Sequence, residues 1–199
     1  MSYSVEALQD GYCYPDTAVL INKLNIRSQE ELNLAEKLYV SSNALKVREH
    51  SFSEPFTFDF YCNLHKTLFG DIYQWAGQTR KSEISKGGTS FCPCEEIDRT
   101  GKAKFDYLQR ENYFCGYTKE RYIKELADFY NELNLLHPFR EGNGRTQRLF
   151  FSLLARRKGF FLDFSAADPN FLIIAAIQAA NGVTDYLEQF FECSLKLIK

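Results

Sequence analysis

The sequence predicts an all-α fold carrying one small β-hairpin, on three observations. Apolar residues recur at helical spacing through most of the chain, period-two alternation is confined to one short stretch, and Gly and Pro are modest at 11 and 5 beside 18 Phe and 12 Tyr. A chain of 199 residues with this composition can bury one sizeable core, and residues 1–199 read as a single domain with an N-terminal helical extension over 1–49 and a core over 50–199. No internal repeat and no linker rich in Pro, Gly or Ser divides it.

The elements follow in order. Ser28–Ser42 places Leu32, Ala35, Leu38 and Tyr39 on one side with acids near its start, which predicts a capped amphipathic helix. A second helix is expected after Ser53, with Pro55 tolerated in its first turn and Phe56, Phe60, Leu64 and Leu68 recurring up to Gly70. Between residues 79 and 93 the pattern turns to short alternation around Gly87-Gly88, a dipeptide that readily supplies positive φ, so a hairpin is expected there. Helical texture resumes from Glu95 to Arg110, and again from a Thr118 cap through Leu136, with Ile123, Leu126, Ala127 and Tyr130 on one face. Arg145–Arg157 reads as a buried central helix closing at Gly159. Asp168-Pro169 opens a helix over Asn170–Ala180, Asn181-Gly182 breaks it, and Thr184 caps a last helix running towards Leu197.

Bulk chemistry excludes several classes. A net charge of −2 gives no electrostatic footprint for direct nucleic-acid or anionic-membrane binding. No apolar run approaches the roughly 18 residues of a membrane span and no export leader opens the chain, so a soluble cytoplasmic protein is expected. The cysteines Cys13, Cys62, Cys92, Cys94, Cys115 and Cys193 lack the paired C-x-x-C spacing of zinc sites and read as buried free thiols; His50 and His65 have no recognisable ligand partners.

Chemistry concentrates in His137–Arg148, HPFREGNGRTQR. Pro138 disfavours a helical conformation at His137, so the imidazole stands at a chain break rather than on a packed face. Gly142, Asn143 and Gly144 can turn successive N–H groups inward just before a helix N-terminus, forming an anion nest. Arg145 and Arg148 are three residues apart, so two guanidinium forks face one phosphate chain, and Glu141 offers a hard oxygen for the accompanying divalent cation. His137 can then act as general base on an incoming hydroxyl, with the cationic surroundings disfavouring imidazolium. A lone histidine before a proline is usually structural, as is a lone G-x-G; here base, metal ligand, nest and paired cations occur in an order that one reaction can use.

The twelve residues resemble the complete signature of the Fic family, H-P-F-x-[D/E]-G-N-G-R-x-x-R, and the order of elements is similar over most of the chain. The segment YCYPDTAVLINKLNI also resembles the opening of bacterial stand-alone Fic toxins. The resemblance implies a Fic-type helical domain that transfers AMP from Mg·ATP to a Ser, Thr or Tyr hydroxyl of a target protein. It implies His137 as base, Glu141 as Mg²⁺ ligand, Asn143 near the α-phosphate, Gly142 and Gly144 as the anion hole, and Arg145 and Arg148 on the β- and γ-phosphates. The hairpin resembles the family's flap, in which Ser82, Glu83, Ile84, Ser85 and Lys86 would pair with an extended target segment. Asn181 and Tyr186 fall where the family commonly places adenine contacts, with core packing and helix capping as the alternative.

One departure bears on control. Many family members carry an inhibitory helix [S/T]-x-x-x-E-[G/N]; here Ser2 with Glu6, Thr79 with Glu83 and Thr184 with Glu188 have the spacing, but Ala7, Ile84 and Gln189 follow. The resemblance therefore implies a separate small antitoxin supplying the glutamate in trans, with type II topoisomerases as candidate targets. Transfer of UMP, GMP, phosphate or phosphocholine is the alternative within the family, and an idle nucleotide- and peptide-binding module the alternative outside catalysis.

Overall fold

The computed structural model describes residues 11–49, 54–86, 89–166 and 168–198. Helices α1 (Gln29–Glu49) and α2 (Phe58–Phe69) precede a hairpin of β1 (Ser85–Lys86) and β2 (Thr89–Ser90); α3 (Ile97–Arg110), α4 (Lys119–Leu136) and α5 (Asn143–Arg157) follow. The chain closes with β3 (Phe160–Leu162), α6 (Pro169–Ala180), α7 (Asp185–Ser194) and β4 (Leu195–Leu197). The expected helical fold with a small hairpin is what forms, and several of its boundaries are written in local chemistry. Thr118 caps α4 by accepting from Arg121 N, Asp168 caps α6 by accepting from Asn170 N, and Gly159 takes φ +86° after α5.

Four expectations change. The first helix runs on to Glu49, and it buries Leu32, Glu36, Val40, Asn43 and Val47 while Leu38 and Tyr39 are exposed, so its inward face is rotated from the one apolar periodicity selects. The second helix begins at Phe58, because Thr57 accepts from Phe60 N and Pro55 lies before the first turn; Ser53 lies outside the described residues. The last helix ends at Ser194, and Leu195–Leu197 extends to pair antiparallel with β3, Leu162 opposite Leu195, making a second two-stranded sheet. The cysteines are free, as expected, but Cys193 is exposed and the other five are half-buried rather than fully buried.

At the centre lies α5, with Leu149, Phe150, Phe151, Leu153, Leu154 and Ala155 all buried, the pattern of a helix surrounded by others. Phe150 meets Tyr61 of α2 at 5.4 Å and 90° and Phe105 of α3 at 5.4 Å, edge-to-face contacts that fix α5 against both helices. At Gly101 a Cβ would stand 2.6 Å from the Phe58 ring, so the α2–α3 approach needs glycine there. No helix among the described residues is long and apolar enough to cross a membrane.

Candidate active site

Helix α4 delivers His137 to the site and ends on it. Its N–H still bonds Leu133 O at 3.1 Å, but its backbone is left-handed at φ 41°, ψ 60°, where Pro138 forbids a continued helix. A non-glycine residue in that region costs energy, and the surrounding packing holds it. The ring Nδ1 lies 3.1 Å from Asn134 O. A carbonyl only accepts, so Nδ1 carries the hydrogen and the Nε2 position carries the lone pair, the tautomer a general base needs. Phe91, just after β2, stacks on the imidazole at 3.8 Å and 12°, fixing the ring plane.

Beyond Pro138 the loop is pinned from inside. Phe139 is fully buried, and Asn143 bonds both ends of its peptide unit, accepting from Phe139 N at 2.9 Å and donating to Phe139 O at 2.7 Å. Gly142 turns into α5 at φ +83°, and a Cβ there would sit 2.5 Å from the Phe69 ring, so both conformation and space demand glycine. The helical bonds begin with Thr146 N to Gly142 O, which leaves the N–H groups of Asn143, Gly144 and Arg145 at the positive end of α5. Glu141 Oε1 accepts from Gly142 N at 2.8 Å and from Arg145 Nη2 at 3.1 Å.

His65, for which the sequence offered no partner, braces this loop from α2. Its Nδ1 accepts from Gly77 N at 2.8 Å, so its Nε2 bears hydrogen and donates to Glu141 O at 2.9 Å. The ring is sandwiched by Phe139 at 3.9 Å and Phe69 at 4.7 Å. Burial, chiefly, lowers its pKa to about 4, although the bond to the Glu141 carbonyl acts in the opposite direction, so the ring stays neutral.

Arg145 is held by two carboxylates: Nη1 lies 2.6 Å from Glu36 of α1 and Nη2 3.1 Å from Glu141. Tyr73 hydroxyl bonds the other oxygen of Glu36. Burial works against the Arg145 charge, but the carboxylates of Glu36 and Glu141 outweigh it and raise the pKa. Glu36 is a site residue that sequence reasoning missed; its only signal is a carboxylate in phase with Leu32 and Val40.

A cavity of about 580 Å³ is lined by His137, Glu141, Gly142, Asn143, Gly144, Arg145 and Arg148. Thr89 and Phe91 of the hairpin region line it too, and Phe164 with Leu172, Ile173, Ala176 and Ile177 of the α6 region supplies its apolar lining. Asn181 and Tyr186 are not among the lining residues: Asn181 Nδ2 donates to Ile177 O at 2.9 Å, and Tyr186 is exposed beside Phe171. In the hairpin Ser85 pairs with Ser90 and Lys86 with Thr89, Ile84 is buried, and Glu83 is exposed with Oε1 accepting from Cys94 N at 2.8 Å; Ser82 offers its carbonyl to Arg80. Gly87 and Gly88, expected at the hairpin tip, lie outside the described residues. No group of three or more His, Cys, Asp or Glu among the described residues could hold a metal by itself, but Glu141 alone, beside a polyphosphate, suits an ion that keeps most of its ligands as phosphate and water oxygens.

Comparison with known proteins agrees with this geometry. The Fic/DOC family pattern matches residues 55–155. A curated relative from Sinorhizobium fredii, named a probable protein adenylyltransferase, is 40% identical over 88% of this chain and 91% of its own. A probable protein adenylyltransferase Fic of Escherichia coli K12 is 33% identical over 92% and 90%. The protein adenylyltransferase VbhT of Bartonella schoenbuchensis is 33% identical over 96% of this chain, which spans 40% of its length. The crystal structure of BepC from Bartonella tribocorum with bound AMPPNP superposes with a TM-score of 0.87 at 25% identity, covering 94% of this chain and 97% of that one. Since the family pattern takes in both the bracing helix α2 and the whole of the His137 loop, and relatives covered over about nine tenths of their length are 33% and 40% identical across the aligned residues, the chain belongs to the Fic/DOC family and is a nucleotidyltransferase.

Proposed function

We propose that this chain transfers AMP from ATP to a Ser, Thr or Tyr hydroxyl of a protein. The observation that carries the reading is the placement of His137, whose Nδ1–H is committed to Asn134 O and which lines the same cavity as the anion-binding start of α5. Nε2 removes the hydroxyl proton as that oxygen attacks the α-phosphorus, and the bond from that phosphorus to the bridging oxygen breaks. The products are the AMP ester and pyrophosphate. The Asn143–Arg145 N–H groups receive phosphate oxygens, Arg148 and the exposed side of Arg145 hold the leaving pyrophosphate, and Glu141 would hold Mg²⁺. When bound, that ion neutralises phosphate charge. Asn143 spends its side-chain amide on Phe139, so its contribution near the α-phosphate is through its backbone and through loop shape.

In the same reading the hairpin is the flap, and the outer edge of β1 accepts an extended target segment by strand addition. The apolar lining from α6 receives the base; Asn181 and Tyr186 do not line the cavity. Restraint by a small antitoxin in trans is supported by a second hollow, about 340 Å³, lined mainly by α1 and by Arg145 and Arg148 of α5, in which Glu36 already shows a carboxylate meeting Arg145. Type II topoisomerases remain the candidate targets.

Incubating a bacterial lysate with the chain and either α- or γ-labelled ATP tests the reaction. Protein-bound label from the α position alone is expected. Label from γ alone would mean phosphate transfer, and label from neither would leave another nucleotide or a binding module. Adding purified type II topoisomerase to the same assay tests the target.

A further inference from the structure

Arg80 is among the largest fully buried side chains, and its guanidinium ties three separate backbones together. Its Nε donates to His137 O at 2.9 Å, its Nη1 to Ser82 O at 2.8 Å, and its Nη2 to Cys92 O. Two backbone bonds run alongside: Arg80 N to Pro138 O at 2.8 Å and Cys92 N to Leu135 O at 2.9 Å. The hairpin thus leaves the body at residue 80 and returns at residue 92, and at both points it is bonded to the end of α4 that presents the catalytic imidazole. Phe91, one residue before the return, is the ring that stacks on His137.

Burying a guanidinium is costly unless its donors are all met. The carboxylate paired with it among the described residues, Glu83 at 3.5 Å, is on an exposed side chain, so backbone carbonyls are its main partners. A neutral residue would fill the space without that cost. What only arginine provides is a rigid planar fork whose donors point in several fixed directions at once; lysine has a single point of attachment.

We propose that Arg80 is a positioning residue for the transfer: by bonding the His137 carbonyl and both arms of the hairpin together, it sets the height and register of β1 above the imidazole. A target segment added to β1 then has its hydroxyl delivered to Nε2 rather than a residue away. This rests on reading the hairpin as the target-binding flap. It assigns Arg80 no contact with ATP, since it does not line the nucleotide cavity.

The test uses the full chain with Arg80→Lys and Arg80→Ala, α-labelled ATP and lysate protein as acceptor. ATP affinity should stay near that of the unaltered protein while protein labelling at saturating ATP falls about 100-fold, the scale expected when a reacting group is misplaced by about an ångström. Methylguanidinium added at millimolar concentration should restore part of the labelling to Arg80→Ala, where the space is open, and none to Arg80→Lys. Labelling that survives both substitutions, or ATP affinity lost in step with labelling, would overturn the proposal. Hydrogen exchange on the unaltered chain decides the clamp even if a variant fails to fold. The Arg80 Nε–H, which donates to His137 O, should exchange in NMR as slowly as neighbouring α4 amides, and rapid exchange there rejects it. An unaltered chain that binds ATP but labels no protein would reject the transfer reading, while the exchange measurement still reports on the clamp.

Discussion

Two histidines sit within one loop's reach and are fitted for opposite uses. His137 lines the cavity with Nδ1 bonded to Asn134 O, and in the proposed transfer replacing it removes a proton acceptor that acts only as the hydroxyl attacks. His137→Ala should lower protein labelling by about 100-fold or more while ATP affinity, read by calorimetry, changes little. His65 has both nitrogens committed to backbone groups and must stay neutral, since a proton on Nδ1 would face the Gly77 N–H. Its pKa is about 4 folded against 6.5 for an ordinary histidine, so between those values the unfolded chain binds a proton that the folded chain does not. Its contribution is complete above pH 6.5 and is lost as pH falls towards 4, by about 3 kcal/mol in all. Urea unfolding between pH 7 and pH 4.5 should show this loss, and His65→Gln should flatten the slope while starting from lower stability.

At the scale of elements, position is legible in the sequence, and rotation is legible in α4, whose expected face of Ile123, Leu126, Ala127 and Tyr130 is buried, but not in α1. Thr118, Asp168-Pro169 and Gly159 mark helix ends through bonds made within a few residues, which a linear reading can find. The HPFREGNGRTQR loop is legible for the same reason, because its nest, acid and arginines are consecutive. The groups that hold it lie far away in sequence: Arg80 is 57 residues from His137 and His65 is 76 from Glu141. In α1 the exposed Leu34, Leu38 and Leu45 equal in number the buried Leu32, Val40 and Val47, so apolar spacing does not single out the inward side. The true inward face is marked instead by Glu36, a charge that an apolar pattern counts as an interruption. Glu36→Ala would leave Arg145 with Glu141 alone and Tyr73 without its carboxylate, costing about 2–3 kcal/mol in chemical denaturation. ATP affinity should fall with it, as Arg145 loses the contact that fixes its guanidinium.

For the molecule as a whole, α5 separates chemistry from closure. Its first residues line the cavity of the candidate site, and after 15 residues it passes into β3, about 20 Å away along the helix axis. There β4 pairs with β3, Leu195 is buried, and Ile198 N bonds Gly159 O. Removing residues 195–199 should cost about 2–3 kcal/mol, the scale of one buried leucine and its ladder bonds, and lower the melting temperature. Nucleotide affinity of the shortened chain at a temperature where it is folded should stay within about twofold of the full chain. This sheet escapes the sequence because Leu195–Leu197 continues the apolar pattern of α7, and pairing with a strand more than thirty residues earlier leaves no local mark.

Arg145 and Arg148 border both hollows, the nucleotide cavity on one side and the groove against α1 on the other. The two hollows therefore share two side chains. If these arginines hold the phosphates as proposed, a charge in the outer groove can act on them without entering the nucleotide's chamber and without any domain having to move. A ligand of that outer groove would lower affinity for the triphosphate while leaving AMP, which lacks the outer phosphates, bound as before.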